Sequence, residues 1–161
     1  MSEAPSANVT IRPAVPGADE QVIQHLRASV GWSTIETGLS SMAAGRSIVY
    51  VLEVDDEPAA SGALVLRSED PELADGETSA LVSNLIVNSN HQSHGLGTRM
   101  LEHLEREARK RGFSRISIGV DLPNVRARSL YERHGYTRLK ERKESWGPVI
   151  YLVKALNGSA T

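Results

Sequence analysis

Two glycines, Gly95 and Gly97, close a polar turn, Asn88-Ser89-Asn90-His91-Gln92-Ser93-His94. The turn follows the apolar run Leu81-Val82-Ser83-Asn84-Leu85-Ile86-Val87 and precedes a strongly amphipathic segment. A strand feeding such a turn into a helix makes an anion cradle. Backbone N–H groups of the turn and of the first helical turn lack partners of their own, the helix dipole adds partial positive charge, and glycine lets a ligand approach the backbone closely. Phosphate is the chemistry that suits it. A dinucleotide fold would carry a third glycine where Met100 stands. His91 and His94 lie three apart with no cysteine and no carboxylate cluster beside them, so no metal is expected.

The elements that must hold this loop follow from periodicity. Val9-Thr10-Ile11-Arg12 alternates as a first strand ended by Pro13, and Val22, Ile23, Leu26 and Val30 fall at helical spacing within 17–30, with Asp19 and Glu20 near its positive end. Ser33-Thr34-Ile35-Glu36 is a capping box that starts a second helix running to about Ala44, where Gly45 ends it. Strands at 48–54 and 60–67 pair as an antiparallel hairpin about Asp55-Asp56-Glu57-Pro58, and 68–77 is a polar loop. After the central strand, a helix at 95–111 puts Leu96, Met100, Leu101, Leu104 and Ala108 on one face. Its other face carries Glu102–Arg106, Glu105–Arg109 and Glu107–Arg111 at four-residue spacing, and Gly112 suits a left-handed cap. Ile116-Ser117-Ile118-Gly119-Val120 then lies parallel to the central strand through a right-handed crossover. A short helix at 124–134 stops at Gly135, and strands at 136–143 and 149–153 close the chain around Trp146-Gly147-Pro148.

In this order of elements, Gln92-Ser93-His94-Gly95-Leu96-Gly97 resembles the Gln/Arg-x-x-Gly-x-Gly/Ala signature of the GNAT-type N-acetyltransferase superfamily. The segment from Asn124 through Ala127, Leu130, Tyr131, Glu132 and Gly135 to Tyr136 is similar to that family's Asn-x-x-Ala-x-x-Leu-Tyr-Glu-x-x-Gly-Phe/Tyr. The resemblance covers most of the chain in element order and residues 78–139 in detail. It implies an α/β (α+β) fold: a mixed, mostly antiparallel twisted sheet whose central parallel pair splays into a V-shaped acetyl-CoA cleft, with helices on both faces. It further implies acetyl-CoA as co-substrate, contacted by Leu85, Ile86, Val87, Gln92, Ser93, His94, Gly95, Leu96, Gly97 and Thr98, mostly through backbone. The pantetheine arm would add beside the central strand like a short extra strand, and the pyrophosphate would rest on the glycine loop.

Tyr131 matches the family's general acid. A phenol with a pKa of about 10 is protonated at neutral pH and can donate to a departing thiolate whose conjugate acid has a pKa of about 8.5. The alternative for Tyr131 is an aromatic that packs the short helix on the sheet. Asn124 matches a residue that contacts the pantetheine arm, and an asparagine there also suits a helix N-cap. Many relatives carry a glutamate base at the position of Ser83, and this chain has Ser83-Asn84. Glu77, Asp121 and His134 are the nearest titratable groups by sequence; water or an amine that arrives neutral would also serve. Trp32 and Trp146 are candidates for the acceptor wall or for ordinary packing.

The expected reaction is acetyl transfer to a primary amine of a small molecule or amino acid by direct attack in a ternary complex. A protein N-terminus or lysine is the alternative acceptor, and an acyl-CoA-binding regulatory module without turnover is the alternative of another class. With 161 residues, 40% of them hydrophobic and 24% charged, the chain suits one N-acetyltransferase domain at 9–156 between a flexible leader at 1–8 and a flexible tail at 157–161. A net charge of -2 gives no reason to expect nucleic acid or a membrane surface as partner. The absence of cysteine removes disulfides and a thiol nucleophile, and no signal or membrane segment is legible, so a cytoplasmic protein is expected. The closing strands offer an edge for a homodimer.

Overall fold

A computed structural model describes residues 8–30, 44–91 and 95–156. Among these residues seven strands, β1 (Val9–Pro13), β2 (Ser47–Val54), β3 (Glu57–Val65), β4 (Ser79–Val87), β5 (Arg115–Asp121), β6 (Thr137–Glu144) and β7 (Gly147–Ala155), are interspersed with the helices α1 (Glu20–Ser29), α2 (Leu96–Lys110) and α3 (Val125–Arg133). The hydrogen-bonded strand order is β1-β2-β3-β4-β5-β7-β6. β4 and β5 are parallel, whereas β1/β2, β5/β7 and β6/β7 are antiparallel, so the sheet is mixed and mostly antiparallel, as expected. By internal contacts the chain divides into two compact units, Met1–Ala63 with Asn84–His103, and Leu64–Ser83 with Leu104–Thr161.

In the first unit, Ala14, Ile23, Val49, Val51 and Ala63 form a buried cluster with Val22 against it, which accounts for the apolar spacing of α1. Asp19 stands at the N-cap of α1 but does not cap it. Its carboxylate instead takes both Arg12 guanidinium nitrogens, at 2.8 and 3.0 Å, and the Val15 N–H at 2.7 Å. The hairpin turn is shorter than the sequence composition suggests. Asp55 and Asp56 alone make it, with φ of 50° and 68°, and Glu57 and Pro58 already belong to β3. Two left-handed residues in succession give the tight twist that a two-residue hairpin needs, and aspartate tolerates that conformation. The capping-box helix expected from Ser33 lies outside the described residues, as does Trp32.

In the second unit, Leu73, Val149 and Tyr151 form a buried cluster with Leu81 and Leu139 packed on it. The loop before β4 is tied down rather than free. Asp70 accepts from Lys140 at 2.6 Å and from Arg142 at 2.7 Å, and Asp75 accepts the N–H groups of Glu77, Thr78 and Ser79.

Both functional helices end by the same device. Gly112, at φ 89°, donates to the Arg109 carbonyl and Phe113 to that of Ala108; Gly135, at φ 96°, donates to Glu132 and Tyr136 to Tyr131. These are paired Schellman bonds, which need a left-handed residue that glycine supplies without steric cost. Because Tyr136 is used in that cap, β6 begins at Thr137, one residue later than expected. The apolar face of α2 is as the periodicity predicts: Leu96, Met100, Leu101, Leu104 and Ala108 are all buried. Glu105 departs from expectation, since it is buried and its partners are Tyr136 and Lys154 rather than Arg109.

Candidate active site

The loop end of the candidate site lies in the first unit. Along the last residues of β4, Ile86 is buried while Leu85 and Val87 are half-buried, the alternation of a strand with one covered face. The strand stops because Asn88 turns the chain. Its N–H still reaches the Ala59 carbonyl at 2.8 Å, but its carbonyl takes the His91 N–H at 2.8 Å and its side-chain oxygen the Asn90 N–H at 2.9 Å, closing one 3-10 turn at Ser89–His91. Gln92, Ser93 and His94 lie outside the described residues.

Gly95 then adopts φ 76°, and its carbonyl accepts the Arg99 N–H at 3.1 Å, the first bond of α2. Gly95 is therefore the N-cap of α2 and has no side chain with which to cap. The N–H groups of Leu96, Gly97 and Thr98 consequently have no partner within the helix, and they stand where the helix dipole is positive. Among the described residues, a Cβ built on Gly97 would meet only Val87 Cγ2, at 3.6 Å, so none of them crowds the backbone there. Main-chain N–H groups so placed are able to hold an anion such as a phosphate.

The second unit holds the other candidate residues. The parallel register of β4 and β5 runs from Ser79↔Arg115 to Val82↔Ile118, and Gly119, Val120 and Asp121 continue in pairing with β7. Next comes Asn124, whose side chain accepts the Ala127 N–H at 3.1 Å and so is a true N-cap of α3. Tyr131 sits two turns on, half-buried, and its hydroxyl has no hydrogen-bond partner among the described residues. Burial pushes its pKa above the usual phenol value, so it carries its proton at neutral pH and is a donor, not a base. Its ring meets the ring of Tyr136 edge to face.

The sequence candidates for a base separate by position. Glu77 precedes the first residue of β4 and is six residues from Ser83, about 20 Å along an extended chain. Asp121 ends β5 and accepts the Trp146 indole N–H at 3.0 Å, which fixes an aromatic that is 68% exposed. His134 is the C-cap of α3, its own N–H bonded to the Tyr131 carbonyl at 3.0 Å. Ser83 itself is half-buried.

Residues 21–136 match the model of the Acetyltransferase (GNAT) family. The chain belongs to the GNAT acetyltransferase family. As a family member it is similar to the ribosomal protein bS18-alanine N-acetyltransferase of Escherichia coli K12, with 36% identity over 64 residues. That match spans 40% of this chain and 43% of the curated relative's length. Among solved structures, a GNAT family acetyltransferase from Elizabethkingia anophelis with acetyl-CoA bound has a TM-score of 0.73 at 17% identity, covering 92% of this chain and 99% of that one. The ribosomal-protein-S18-alanine N-acetyltransferase of Escherichia coli has a TM-score of 0.73 at 21% identity, covering 96% and 99%. These likenesses identify the fold of this GNAT chain. Among the described residues no helix is long and apolar enough to cross a membrane.

Proposed function

We propose that this protein transfers an acetyl group from acetyl-CoA to a primary amine by direct attack in a ternary complex. Acetyl-CoA supplies the activated acetyl group and leaves as a thiol. Leu85, Ile86 and Val87 offer the strand beside which the pantetheine arm would run, with Asn124 its further contact. The stretch Gln92, Ser93, His94, Gly95, Leu96, Gly97 and Thr98 would hold the pyrophosphate, the last three through the N–H groups that α2 leaves unbonded. Tyr131 donates its phenolic proton to the departing sulfur as the C–S bond breaks and the new C–N bond forms, and the proton that the nitrogen sheds passes to water, from which the phenolate is reprotonated. Since the sequence contains no cysteine to carry an acetyl group, direct transfer is favoured over a thioester relay through the enzyme.

The observation that points to the acceptor is Ser83. Without a carboxylate at that position, the enzyme favours an amine that arrives unprotonated. At pH 7.5 a protein α-amine, with a pKa of about 7.8, is about one-third neutral, whereas a lysine, with a pKa of about 10.4, is neutral about one time in a thousand. This ranks a protein N-terminus above lysine and above strongly basic small amines. The partial match to a ribosomal-protein-alanine N-acetyltransferase supports the same ordering.

The test measures thiol release from acetyl-CoA with a peptide bearing a free N-terminal alanine, its N-formylated counterpart containing lysine, and a panel of small amines. Turnover confined to the free α-amine is expected; equal or greater turnover on small amines restores the small-molecule reading. Acetyl-CoA binding with no acceptor-dependent release for any of them would favour a binding module. Tyr131→Phe is expected to lower turnover by about a hundredfold while the Kd for acetyl-CoA stays within about twofold. Unchanged turnover removes Tyr131 from the chemistry.

A further inference from the structure

At the C-terminal end of α3 lies a buried polar assembly on which the transfer chemistry makes no direct demand. Tyr136 is 1% exposed, and its hydroxyl donates to Glu105 Oε2 at 2.8 Å. Glu105 is itself 5% exposed, and its other oxygen accepts Lys154 Nζ at 3.1 Å. The same ammonium stands 5.7 Å from the centre of the Tyr136 ring. Tyr136 is thus gripped at its hydroxyl and at its face. Its ring also meets the Tyr131 ring, with centroids 6.2 Å apart and planes at 61°, and its backbone N–H donates to the Tyr131 carbonyl at 3.1 Å. All four residues belong to one compact unit.

A buried carboxylate with a phenol and an ammonium is a demanding way to fill space. Apolar side chains of similar volume serve stability as well or better, and the family pattern accepts phenylalanine where Tyr136 stands. What the polar version adds is direction. A hydrogen bond at the para position fixes the axis of the ring, and the Lys154 ammonium over its face limits rotation about that axis, so the surface it offers to Tyr131 is held. Tyr131 needs that surface, because its own hydroxyl has no partner among the described residues to aim it. We infer that Tyr136, held by Glu105 and Lys154, is a positioning residue that fixes the ring of Tyr131 for proton donation. The inference rests on the reading of Tyr131 as the acid.

The experiment is a cycle of Tyr136→Phe, Tyr131→Phe and the double variant, each characterised by melting temperature, kcat and the KM for acetyl-CoA on the best acceptor. Tyr136→Phe keeps the ring and removes the bond to Glu105. It is expected to lower kcat by about tenfold with KM little changed, a fraction of the roughly hundredfold that a misplacement of about 1 Å can cost. In the Tyr131→Phe background the same substitution is expected to lower kcat by less than about twofold, since there is no proton left to aim. Glu105→Gln, which can still accept from Tyr136, is expected to retain most of the rate that Glu105→Ala loses. An equal loss in both backgrounds, or full kcat with only a lower melting temperature, overturns the positioning role while leaving the acid reading intact. If Tyr131→Phe alone is fully active, the acid reading fails and the inference with it. Should Tyr136→Phe not accumulate as folded protein, Lys154→Met, at a half-buried position, is compared in the same two backgrounds with the same outcomes deciding.

Discussion

Adding one methyl group at position 97 separates the fold of this protein from its donor site. Gly97 is the second residue of α2, and its φ is not in the left-handed region, so alanine suits its backbone. Among the described residues the new Cβ would touch only Val87 Cγ2, at 3.6 Å, an ordinary van der Waals contact. Alanine is favoured over glycine in helix interiors by up to about 1 kcal/mol, less in the first turn, so the melting temperature should hold or rise by about 1–3 °C. Ligand binding should move the other way. The methyl group fills the space through which an anion reaches the N–H groups of residues 96–98, and losing one hydrogen bond to a charged group costs about 2 kcal/mol, or about thirtyfold in Kd. Calorimetric titration with CoA, beside a thermal melt, measures both. Gly95→Ala is the contrast: φ there is 76°, and alanine should destabilise the fold by about 1–2 kcal/mol. An unchanged Kd in folded Gly97→Ala would refute the assignment of these N–H groups to the pyrophosphate. A collapse in melting temperature would refute the backbone argument.

Substitutions at two further residues test how named side chains divide between fold and function. Asn124→Ala removes the cap bond to Ala127 and should cost about 1 kcal/mol of stability, while Asn124→Ser keeps a cap; if the serine variant retains its melting temperature but binds acetyl-CoA more weakly, the amide also serves the ligand. Asp19 gives a pH dependence. The Arg12 guanidinium holds its carboxyl below the usual carboxylate range. A group with a depressed folded pKa contributes stability that is present above its unfolded pKa of about 3.9 and is lost as pH falls through the folded value. Melts taken from pH 6 downward should therefore fall below about pH 4, and Asp19→Asn should lower stability at pH 6 while flattening that fall. A parallel fall in both proteins would show that Asp19 is not among the groups responsible.

The local structure of the candidate donor site was legible because its determinants are local. Helix, cap and glycine turn are each written within a few residues, so the cradle at 95–98, the cap at Asn124 and the stop at Gly135 could be read in register. What escaped was set by partners far apart in sequence. Glu105 sits at the correct spacing for a solvent pair with Arg109, but Tyr136 and Lys154, 31 and 49 residues away, draw it inward. The segment 68–77 reads only as a polar loop, and nothing local shows that Asp70 is bound from positions 70 and 72 residues along the chain. The short hairpin escaped for a subtler reason: composition marks four turn-forming residues, while only the backbone angles of Asp55 and Asp56 make the turn.

The acceptor half is governed by a different logic, and Ser83 shows it. A general base is needed to the extent that the nucleophile arrives charged, so a position without a carboxylate says something about the amine. Both remaining strategies leave a signature in pH. If the enzyme takes neutral α-amine from solution, kcat/KM for the peptide should rise with pH until the amine's own pKa near 8 is passed, and should follow that pKa when the terminal residue is changed. If an unassigned group on the protein removes the proton, the profile should keep one inflection for every acceptor. Because Tyr131 stays protonated across this range, the rising limb reports on the amine side alone.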